Sequence, residues 1–531
     1  MKKIFAIIFG AAAIFAASCT NLDEEIYSQV PKKEFLDDAS HIALYTSRPY
    51  TYLQKWGVEQ SMLTMIIQLS NETGIPYSWD AHWGEDRYTE LQTHRIPTNC
   101  KLVRTSWDFC FDGIAACNDA IYVLENAPQT ETSAKNIAEI KTLRAYYYLM
   151  AVDCWGNVPF SVSREETSYP VQKDRAEMLT WLEGEIKSNM APLDSVVSTR
   201  TYGRITREVS RFLLAKIYLN SEKWTGVKRY KECEDVCDSI MKGGNFTLAT
   251  KYEQNFAIHN ENGKEAIFAI PHSSVYTTEA FYIYVMTFGD DLAAAYNIPG
   301  ASWQGTQICQ PDFFDTYDPA DLRRDLTWLH GQVYDYTGAK YAYKQKNADG
   351  TITMVDYILN PSPIDADVFG KNSKGLKRLD GARIIKWPYQ TDGTLQSYKI
   401  SMENDFYLMR YSDVVLMYVE ALLRQDKAVQ AASVPEFIQI RTRAGLAPIA
   451  AGDLTLDALY TERSHELALE GWARQDLIRF GKYTQAWWAK EADPTDGGYA
   501  YTELLPIPEE RIGDNPNLKQ NRGYVAAKPE D

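Results

Sequence analysis

The sequence has too little positive charge to favour a nucleic-acid partner. It contains 55 Lys and Arg residues against 71 Asp and Glu residues, which gives a formal net charge of −16 at pH 7. An acidic surface of this kind repels phosphate backbones over a Debye length. We therefore expect no nucleic-acid partner.

Long apolar runs are also absent from the sequence after its first twenty residues. A helix that spans a membrane needs about 20 mostly apolar residues, whereas the longest dense apolar run here is Val414–Val419. We expect no transmembrane helix in the mature chain. The amino terminus carries Lys2 and Lys3 and then an apolar stretch at residues 4–17, which is typical of an export signal.

The export signal ends in the small-residue sequence Ala16-Ala17-Ser18-Cys19. This ending resembles a bacterial lipoprotein signal, in which residues 1–18 are removed and Cys19 becomes the acylated first residue. Ala16 stands where the usual pattern has Leu. Acyl chains contribute about 0.8 kcal/mol per buried CH₂, so several chains on Cys19 would hold the protein at a bilayer. The alternative is plain secretion, with Cys19 as a free thiol.

The cysteines that follow Cys19 do not indicate a disulfide framework or a zinc site. The chain has 8 cysteines in all, so an odd number remains after Cys19. Cys110 and Cys117 fall on the apolar stripe of one predicted helix, which predicts that they are small core residues. Cys233 and Cys237 lie one helical turn apart without a neighbouring His, and the chain has no C-x-x-C motif.

Catalytic signatures are missing as well. The segment His465–Leu469 begins like the metalloprotease motif H-E-x-x-H, but Leu469 replaces the second His. The chain lacks G-x-S-x-G, G-x-x-x-x-G-K-[ST] and G-x-G-x-x-G, the motifs of hydrolase elbows and phosphate-binding loops. We therefore predict a protein that is not an enzyme and that needs no cofactor. The many carboxylates permit the two opposed acids of a glycosidase without predicting them.

An acidic cluster in the middle of the chain could hold calcium. Its members are Asp312, Asp315, Asp318, Asp321 and Asp325. Arginines interrupt the cluster, and it lacks the loop glycine of an EF-hand. We favour the simpler interpretation that these aspartates are solvated acids of turns and helices.

Apolar residues at helical spacing dominate both ends of the chain. The stripes are Leu143, Tyr146, Tyr147, Met150 and Cys154; Phe212, Ala215 and Leu219; Leu408, Tyr411, Val415, Tyr418 and Leu422; and Leu469, Trp472, Ala473, Leu477 and Phe480. Small and aromatic residues recur in them as in tetratricopeptide repeats, but without a fixed period of about 34 residues. The predicted fold is mainly α: degenerate tetratricopeptide-like helical repeats that stack as an α-α superhelix, with a loop-rich insert containing a few short strands.

The change in the pattern of residue types along the sequence predicts where the parts of the chain begin and end. They are a signal peptide at 1–18, N-terminal helical repeats with an early aromatic loop at 19–243, a loop-rich ligand-binding insert at 244–405, and C-terminal repeats and a tail at 406–531. We expect the two helical parts to pack as one body. Within the insert, the runs Ala266–Ile270, Phe281–Phe288 and Ala382–Trp387 predict strands.

Several segments carry a family resemblance. They are Arg144–Leu149 followed by Trp155–Phe160; Glu462–Arg463 followed by Glu466–Gly471 and Asp476–Gly481; Ile440–Leu446; and the tail Pro506–Pro508, Asn515–Leu518 and Gln520–Tyr524. Together they resemble the SusD/RagB family of surface glycan-binding lipoproteins, and their order spans nearly the whole mature chain. The departures are Ala473, where related sequences often carry Arg, and Arg522, where Pro is usual.

The motifs of this resemblance look structural. Three glutamates recur every four residues on one predicted helix face, which is repulsive unless nearby arginines or neighbouring helices neutralise it. The glutamates are Glu462, Glu466 and Glu470, and the nearest arginines are Arg463, Arg474 and Arg479. We expect an intramolecular salt-bridge network here. The tail is predicted to be a turn-rich strap that Tyr524 anchors.

A glycan ligand requires a different set of residues. A pyranose has apolar C–H faces and hydroxyl edges, so exposed aromatic rings edged by amides, carboxylates and Arg suit it. The resemblance implies that such a platform lies in the early loop and the insert, although the family fixes no motif there. The candidate glycan-binding residues are Trp79, Trp83, Asp80, Arg87, Tyr296, Trp303 and Gln304. The alternative is that these rings pack the insert's own small core.

The resemblance also implies a function. Similar proteins capture oligosaccharide or polysaccharide at the cell surface and deliver it to a SusC-like TonB-dependent outer-membrane transporter, to which the lipid anchor keeps them close. Three alternatives stay open at this point: a peptide-capturing RagB-like uptake lipoprotein, a surface glycoside hydrolase and an adhesin.

Overall fold

The structure is a computed structural model that describes residues 39–57, 61–74, 88–261, 263–273, 275–277, 290–298, 307–362, 379–389, 402–488, 490–495 and 500–525. Its α-helices are α1 (Ala39–Thr51), α2 (Met62–Gln68), α3 (Tyr88–Gln92), α4 (Lys101–Glu125), α5 (Glu131–Trp155), α6 (Arg175–Asn189), α7 (Arg207–Thr225), α8 (Tyr230–Lys242), α9 (Asp290–Ala295), α10 (Pro311–Phe314), α11 (Leu322–Thr327), α12 (Tyr411–Leu423), α13 (Ala428–Ala432), α14 (Pro435–Arg443), α15 (Leu456–Glu466), α16 (Ala473–Arg479) and α17 (Glu509–Asp514). None of these helices is long and apolar enough to cross a membrane, a statement that covers the described ranges.

The strands are short and pair two by two. They are β1 (Thr73–Gly74), β2 (Val158–Pro159), β3 (Gln172–Lys173), β4 (Ala266–Ile270), β5 (Ile308–Cys309), β6 (Trp328–Leu329), β7 (Gly331–Gln332), β8 (Ala342–Lys346), β9 (Ile352–Asp356), β10 (Ile358–Leu359), β11 (Arg383–Ile384) and β12 (Phe406–Arg410). The antiparallel pairs are β1–β5, β2–β3, β4–β12, β6–β11, β7–β10 and β8–β9.

Successive long helices pack against each other, as helical repeats require. Contacts join α4 to α5, α5 to α6, α6 to α7 and α7 to α8, and α8 then packs on α12 from the other end of the chain. Helix α5 begins at a capping box in which the side chains of Thr130 and Ser133 satisfy each other's backbone N–H groups, and it ends at Gly156 with φ +73°. The predicted mainly helical, repeat-like architecture is confirmed.

One ladder pairs two strands that lie far apart in the sequence. Strand β4 pairs antiparallel with β12, and all ten of their residues are buried. The strand predicted at Ala266–Ile270 is confirmed, and β11 forms within the run at Ala382–Trp387, whereas Phe281–Phe288 lies outside the described residues. The helical stripe predicted to begin at Leu408 is wrong at its start, because Leu408 belongs to β12 and α12 begins only at Tyr411.

The predicted salt-bridge network exists, but its geometry differs from the prediction. Glu462 and Glu466 lie on α15, which ends at Glu466, and Glu470 follows a turn in which Leu469 has φ +66°. The cationic partners come from other segments. Glu462 pairs with Arg323 and Arg441, Glu466 with Arg323, Arg410 and Arg443, and Glu470 with Lys386 and Arg410. The repulsion between the glutamates is therefore relieved by distant parts of the chain.

The arginines nearest in sequence to these glutamates form ion pairs with other acids. Arg463 pairs with Asp413 and Asp476, Arg474 with Asp153, and Arg479 with Glu420 and Asp476. All of these side chains are almost fully buried. Buried charges are tolerated when each is paired and hydrogen-bonded, so this network fixes α12, α15 and α16 relative to one another.

The network extends to the insert through Glu265, which precedes β4. Its carboxylate accepts from Arg410 at 3.1 Å and from Arg443 at 2.5 Å. Burial alone would raise the pKa of Glu265, but the two guanidinium groups outweigh it and lower the pKa to about 2. The acid is therefore charged at neutral pH and holds the insert to the helical body.

The C-terminal strap, residues 515–524, is confirmed. The side-chain amide of Asn521 donates to the carbonyls of Trp155 at 2.9 Å and of Leu505 at 2.8 Å. The hydroxyl of Tyr524 donates to the carbonyl of Leu504 at 2.9 Å. The strap thus closes over the end of α5.

The cysteines after Cys19 are buried and free of disulfides, and Cys19 lies outside the described residues. Cys110 and Cys117 lie on α4, as predicted, and burial raises the pKa of both thiols well above its usual value. They pack as small apolar residues.

Candidate glycan-binding site

A two-residue ladder lies next in sequence to most of the predicted site residues. In the β1–β5 pair, Thr73 faces Cys309 and Gly74 faces Ile308. Residues 75–87 follow Gly74 directly, and residues 299–306 end next to Gln307. Trp79, Asp80, Trp83, Arg87, Trp303 and Gln304 lie on these two segments, outside the described residues. The described residues that adjoin these two segments in sequence are therefore paired in one ladder.

Buried glutamines hold this ladder firmly. The amide of Gln307 donates to Thr73 Oγ1 at 2.9 Å. The amide of Gln310 donates to the carbonyls of Thr73 at 2.9 Å and Ser70 at 3.3 Å. On the opposite side, Cys309 N donates to the carbonyl of Ala382 at 3.0 Å, which ties the ladder to the β11 segment. These buried hydrogen bonds fix β1 and β5 relative to each other and to β11.

An acid beneath the ladder connects it to the helical body. Glu72 precedes β1, is 1% exposed, and its Oε2 accepts the backbone N–H of Leu469 at 3.2 Å. Burial raises the pKa of the Glu72 carboxyl to about 8, and this effect exceeds the opposing effects of the Leu469 hydrogen bond and of Lys386. At neutral pH the carboxyl is thus mostly protonated.

Tyr296 is the predicted site residue that the structure describes. It follows α9, is partly buried, and its ring stacks on that of Tyr389 at a centroid distance of 6.0 Å and an interplanar angle of 29°. Burial raises the pKa of its hydroxyl. The adjacent Asn297 has φ +53°, a left-handed conformation just after the end of α9. Its role as a ring that contacts sugar stays a prediction.

Two tryptophans that sequence reasoning missed lie beside the ladder. Trp487 and Trp488 are partly buried and pack against Ile308 of β5. The backbone N–H of Trp488 donates to Asp312 Oδ2 at 2.7 Å, which fixes the tandem rings relative to α10. Their signal in the sequence is a pair of adjacent indoles in a polar segment after α16, outside any helical stripe.

A buried His–Asp pair positions the chain around Trp487. His94 Nδ1 lies 2.7 Å from Asp493 Oδ2, and the His94 ring meets that of Trp487 edge-on at 5.2 Å. Lys490 Nζ lies 4.2 Å from the centroid of the Trp487 ring. Burial lowers the pKa of His94, although Asp493 opposes this. The indole is thus held from two sides.

The remaining polar candidates are structural. His465 of the failed H-E-x-x-H match contacts Thr316 Oγ1 at 2.8 Å and stacks on Tyr317 at 3.7 Å. Asp321 was expected to be solvated, but this is wrong: it is 1% exposed and its Oδ2 accepts from Arg323 at 2.8 Å. Asp315, Asp318 and Asp325 are exposed as expected. Across the described ranges, no group of three or more His, Cys, Asp or Glu side chains is arranged to hold a metal ion.

The architecture is that of a mainly helical-repeat protein with short antiparallel strand pairs, among them β4–β12 and β1–β5. The sequence model of the SusD family matches residues 241–524, more than half of the chain, and the chain belongs to this family. It is 25% identical over 450 residues to the starch-binding protein SusD of Bacteroides thetaiotaomicron, with 79% of each chain covered.

Solved structures share the fold. A laminarin-binding SusD-like protein superposes with a TM-score of 0.71 at 21% identity, covering 92% of this chain and 100% of that one. Surface glycan-binding protein A of Bacteroides thetaiotaomicron, solved in complex with laminarihexaose, superposes with a TM-score of 0.70 at 18% identity, covering 91% of this chain and 99% of that one. These similarities establish the SusD-like fold.

Proposed function

We propose that this protein binds a glycan through the aromatic segments tethered to the β1–β5 ladder and that it catalyses no reaction. The observation that carries the proposal is the pairing of Gly74 with Ile308. Gly74 directly precedes the segment with Trp79 and Trp83, and Ile308 lies two residues after the segment with Trp303. Family relatives named as starch-binding and laminarin-binding support a glycan as the ligand class.

The chemistry of these segments suits a sugar. Indole rings supply the flat apolar surface on which a pyranose packs its C–H face, and Asp80, Arg87 and Gln304 supply hydrogen-bond partners for hydroxyls. Trp487 and Trp488 extend the aromatic surface next to Ile308.

We further propose that Cys19 carries a lipid that anchors the protein at the outer face of the outer membrane, and that the protein hands its glycan to a SusC-like TonB-dependent transporter. The lipoprotein-like signal ending at Cys19 supports the anchor. Family membership supports the partner. Co-purification of this protein with a SusC-like transporter expressed together with it tests this contact.

Isothermal titration of the mature protein with maltohexaose and laminarihexaose tests the ligand class. We expect binding that the triple variant Trp79→Ala, Trp83→Ala and Trp303→Ala weakens by at least tenfold, because truncating an aromatic anchor costs about 2 kcal/mol or more. The melting temperature should change little. Trp224→Ala is the matched control, since this partly buried indole ends α7 in the helical body.

Three results would contradict the proposal, and each favours one alternative. Binding of peptides in place of sugars would indicate a RagB-like peptide carrier, and release of shorter products from a labelled oligosaccharide would indicate a hydrolase. Binding to intact host cells without affinity for any soluble glycan would indicate an adhesin. A collapse in the melting temperature of the triple variant would place the rings in the core.

A further inference from the structure

A cavity lies on the helical body, and none of its lining residues belongs to the β1–β5 ladder. Its volume is about 400 Å³, and it is bounded by α4, the segment at 159–164 and the chain from α17 into the strap. Ligand pockets in proteins typically measure about 300–1,000 Å³. The cavity therefore has room for a short ligand but not for a long polymer.

Aromatic rings form one wall of this cavity. Trp107 and Phe111 lie one turn apart on α4, with ring centroids 4.4 Å apart. Trp107 also meets Trp155 edge-on at 5.1 Å, so the core fixes its orientation. Tyr148 of α5 completes the wall, and its hydroxyl donates to the carbonyl of Ser161 at 2.8 Å. Phe111 is partly buried and packs at the edge of the core. The wall is preorganised.

Charged groups with spare hydrogen-bonding capacity form the rim. Arg164 Nε lies 3.7 Å from Asp119 Oδ1, and Arg48 lies 3.5 Å from Asp119 Oδ2, distances too long for good hydrogen bonds. The Asp119 side chain is 37% exposed and that of Arg164 is 47% exposed. Asp514 and Asn515 also line the cavity, and Asp514 Oδ2 accepts from Arg511 at 2.7 Å. The rim thus offers both acceptors and donors.

We propose that this cavity is a second carbohydrate subsite, which takes the end of a short saccharide. The ring's C–H face packs against Phe111, and its hydroxyls, which both donate and accept, bond to Asp119 and Arg164. The two lining arginines are each offset by an acid, Arg164 by Asp119 and Arg511 by Asp514, so the rim has no unpaired positive charge for a phosphorylated ligand. A purely apolar ligand would leave the rim without partners. The subsite rests on the proposed ligand class but not on the loop residues.

Fluorine NMR of the full mature protein labelled with fluorinated tryptophan tests the subsite. The background is the triple loop variant of Trp79, Trp83 and Trp303, so that a response at Trp107 cannot come from the loops. Trp107→Phe assigns the signal, and the probes are maltohexaose and laminarihexaose. We expect one probe or both to shift the Trp107 signal at millimolar concentrations. Phe111→Ala should weaken this binding at least tenfold and Asp119→Asn several-fold.

Tyr334→Ala is the matched control, because this ring is 50% exposed on the insert and lies outside the cavity. It should leave the titration unchanged. If Phe111→Ala lowers the melting temperature markedly, Asp119→Asn, which removes a rim charge, decides the question. The subsite is contradicted if neither sugar shifts the Trp107 signal. It is also contradicted if Phe111→Ala and Asp119→Asn leave the shift as it is in the background protein. If the wild-type protein still binds sugar in that case, the loop site stands; if it binds none, the proposed function fails too.

Discussion

The backbone N–H of Leu469 donates to Glu72 Oε2 across 3.2 Å, which joins the turn after α15 to the ladder that tethers the aromatic segments. The turn exists because Leu469 and Gly471 adopt φ +66° and φ +87°. An added Cβ at Gly471 would lie 2.7 Å from Trp56, so only glycine fits there. The position of the ladder thus depends on a buried acid and a strained turn.

The burial of Glu72 predicts a pH-dependent stability. Its pKa is raised from 4.5 to about 8, so the folded state holds a proton that the unfolded state releases between these values. The contribution of Glu72 to the free energy of unfolding therefore falls as pH rises from about 4.5 through about 8. Glu72→Gln keeps an acceptor for Leu469 and removes the ionisation.

We expect Glu72→Gln to gain stability relative to the wild-type protein as pH rises from 5 to 9, by an amount on the order of a few kcal/mol. Guanidinium unfolding at a series of pH values measures the difference. Glu165→Gln, at an exposed acid, is the control and should show no such trend. Parallel stability curves for Glu72→Gln and the wild-type protein would contradict the prediction.

Glu466 should be the most sensitive acid of the buried network. It accepts from Arg410 at 2.8 Å, from Arg443 at 2.6 Å and from Arg323 at 3.1 Å, and these guanidinium groups hold its pKa far below the usual range despite its burial. Glu466→Gln leaves the arginines without their shared counter-charge, which costs about 3–5 kcal/mol. Thermal and guanidinium unfolding measure this loss, and a loss no larger than that of Glu165→Gln would contradict it.

The helical body was largely predictable from sequence because its helices are long and periodic. The spacing of Leu143 to Cys154 matches α5, and the strand predicted at Ala266–Ile270 has the bounds of β4. The prediction of helices from residue spacing failed where a residue keeps the helical spacing in the sequence but lies outside the helix. Glu470 keeps the four-residue period of α15 although a turn with positive φ separates it from that helix.

Contacts between residues that lie far apart in the sequence could not be predicted from the sequence alone. Sequence spacing does not identify Arg323 and Arg410 as partners of Glu466, because they lie 143 and 56 residues away from it. The tandem indoles at Trp487 and Trp488 were missed for the same reason, since only folding places them on Ile308. Composition identifies aromatic segments, but the ladder that joins them depends on a pairing over more than two hundred residues.

Gln310 should couple the stability of the ladder to glycan binding. Its amide donates to the buried carbonyls of Thr73 and Ser70, so Gln310→Ala leaves these groups unsatisfied at a cost of about 1–3 kcal/mol. We expect a lower unfolding free energy together with weaker glycan binding. Gln485→Ala, at an exposed glutamine, is the control for both measurements. A stability loss with unchanged glycan affinity would show that the ladder does not position the site.

Trp487 should contribute to glycan binding without being part of the main core. It packs on Ile308 of β5, while Lys490 and His94 hold its ring in place. Trp487→Ala should weaken the binding of the preferred oligosaccharide by about tenfold, the effect of losing about 1.4 kcal/mol at an aromatic contact. Isothermal titration measures the change, with Trp224→Ala as the control. If Trp487→Ala lowers the melting temperature and leaves the affinity intact, the indole is a packing residue and the glycan surface ends at the ladder.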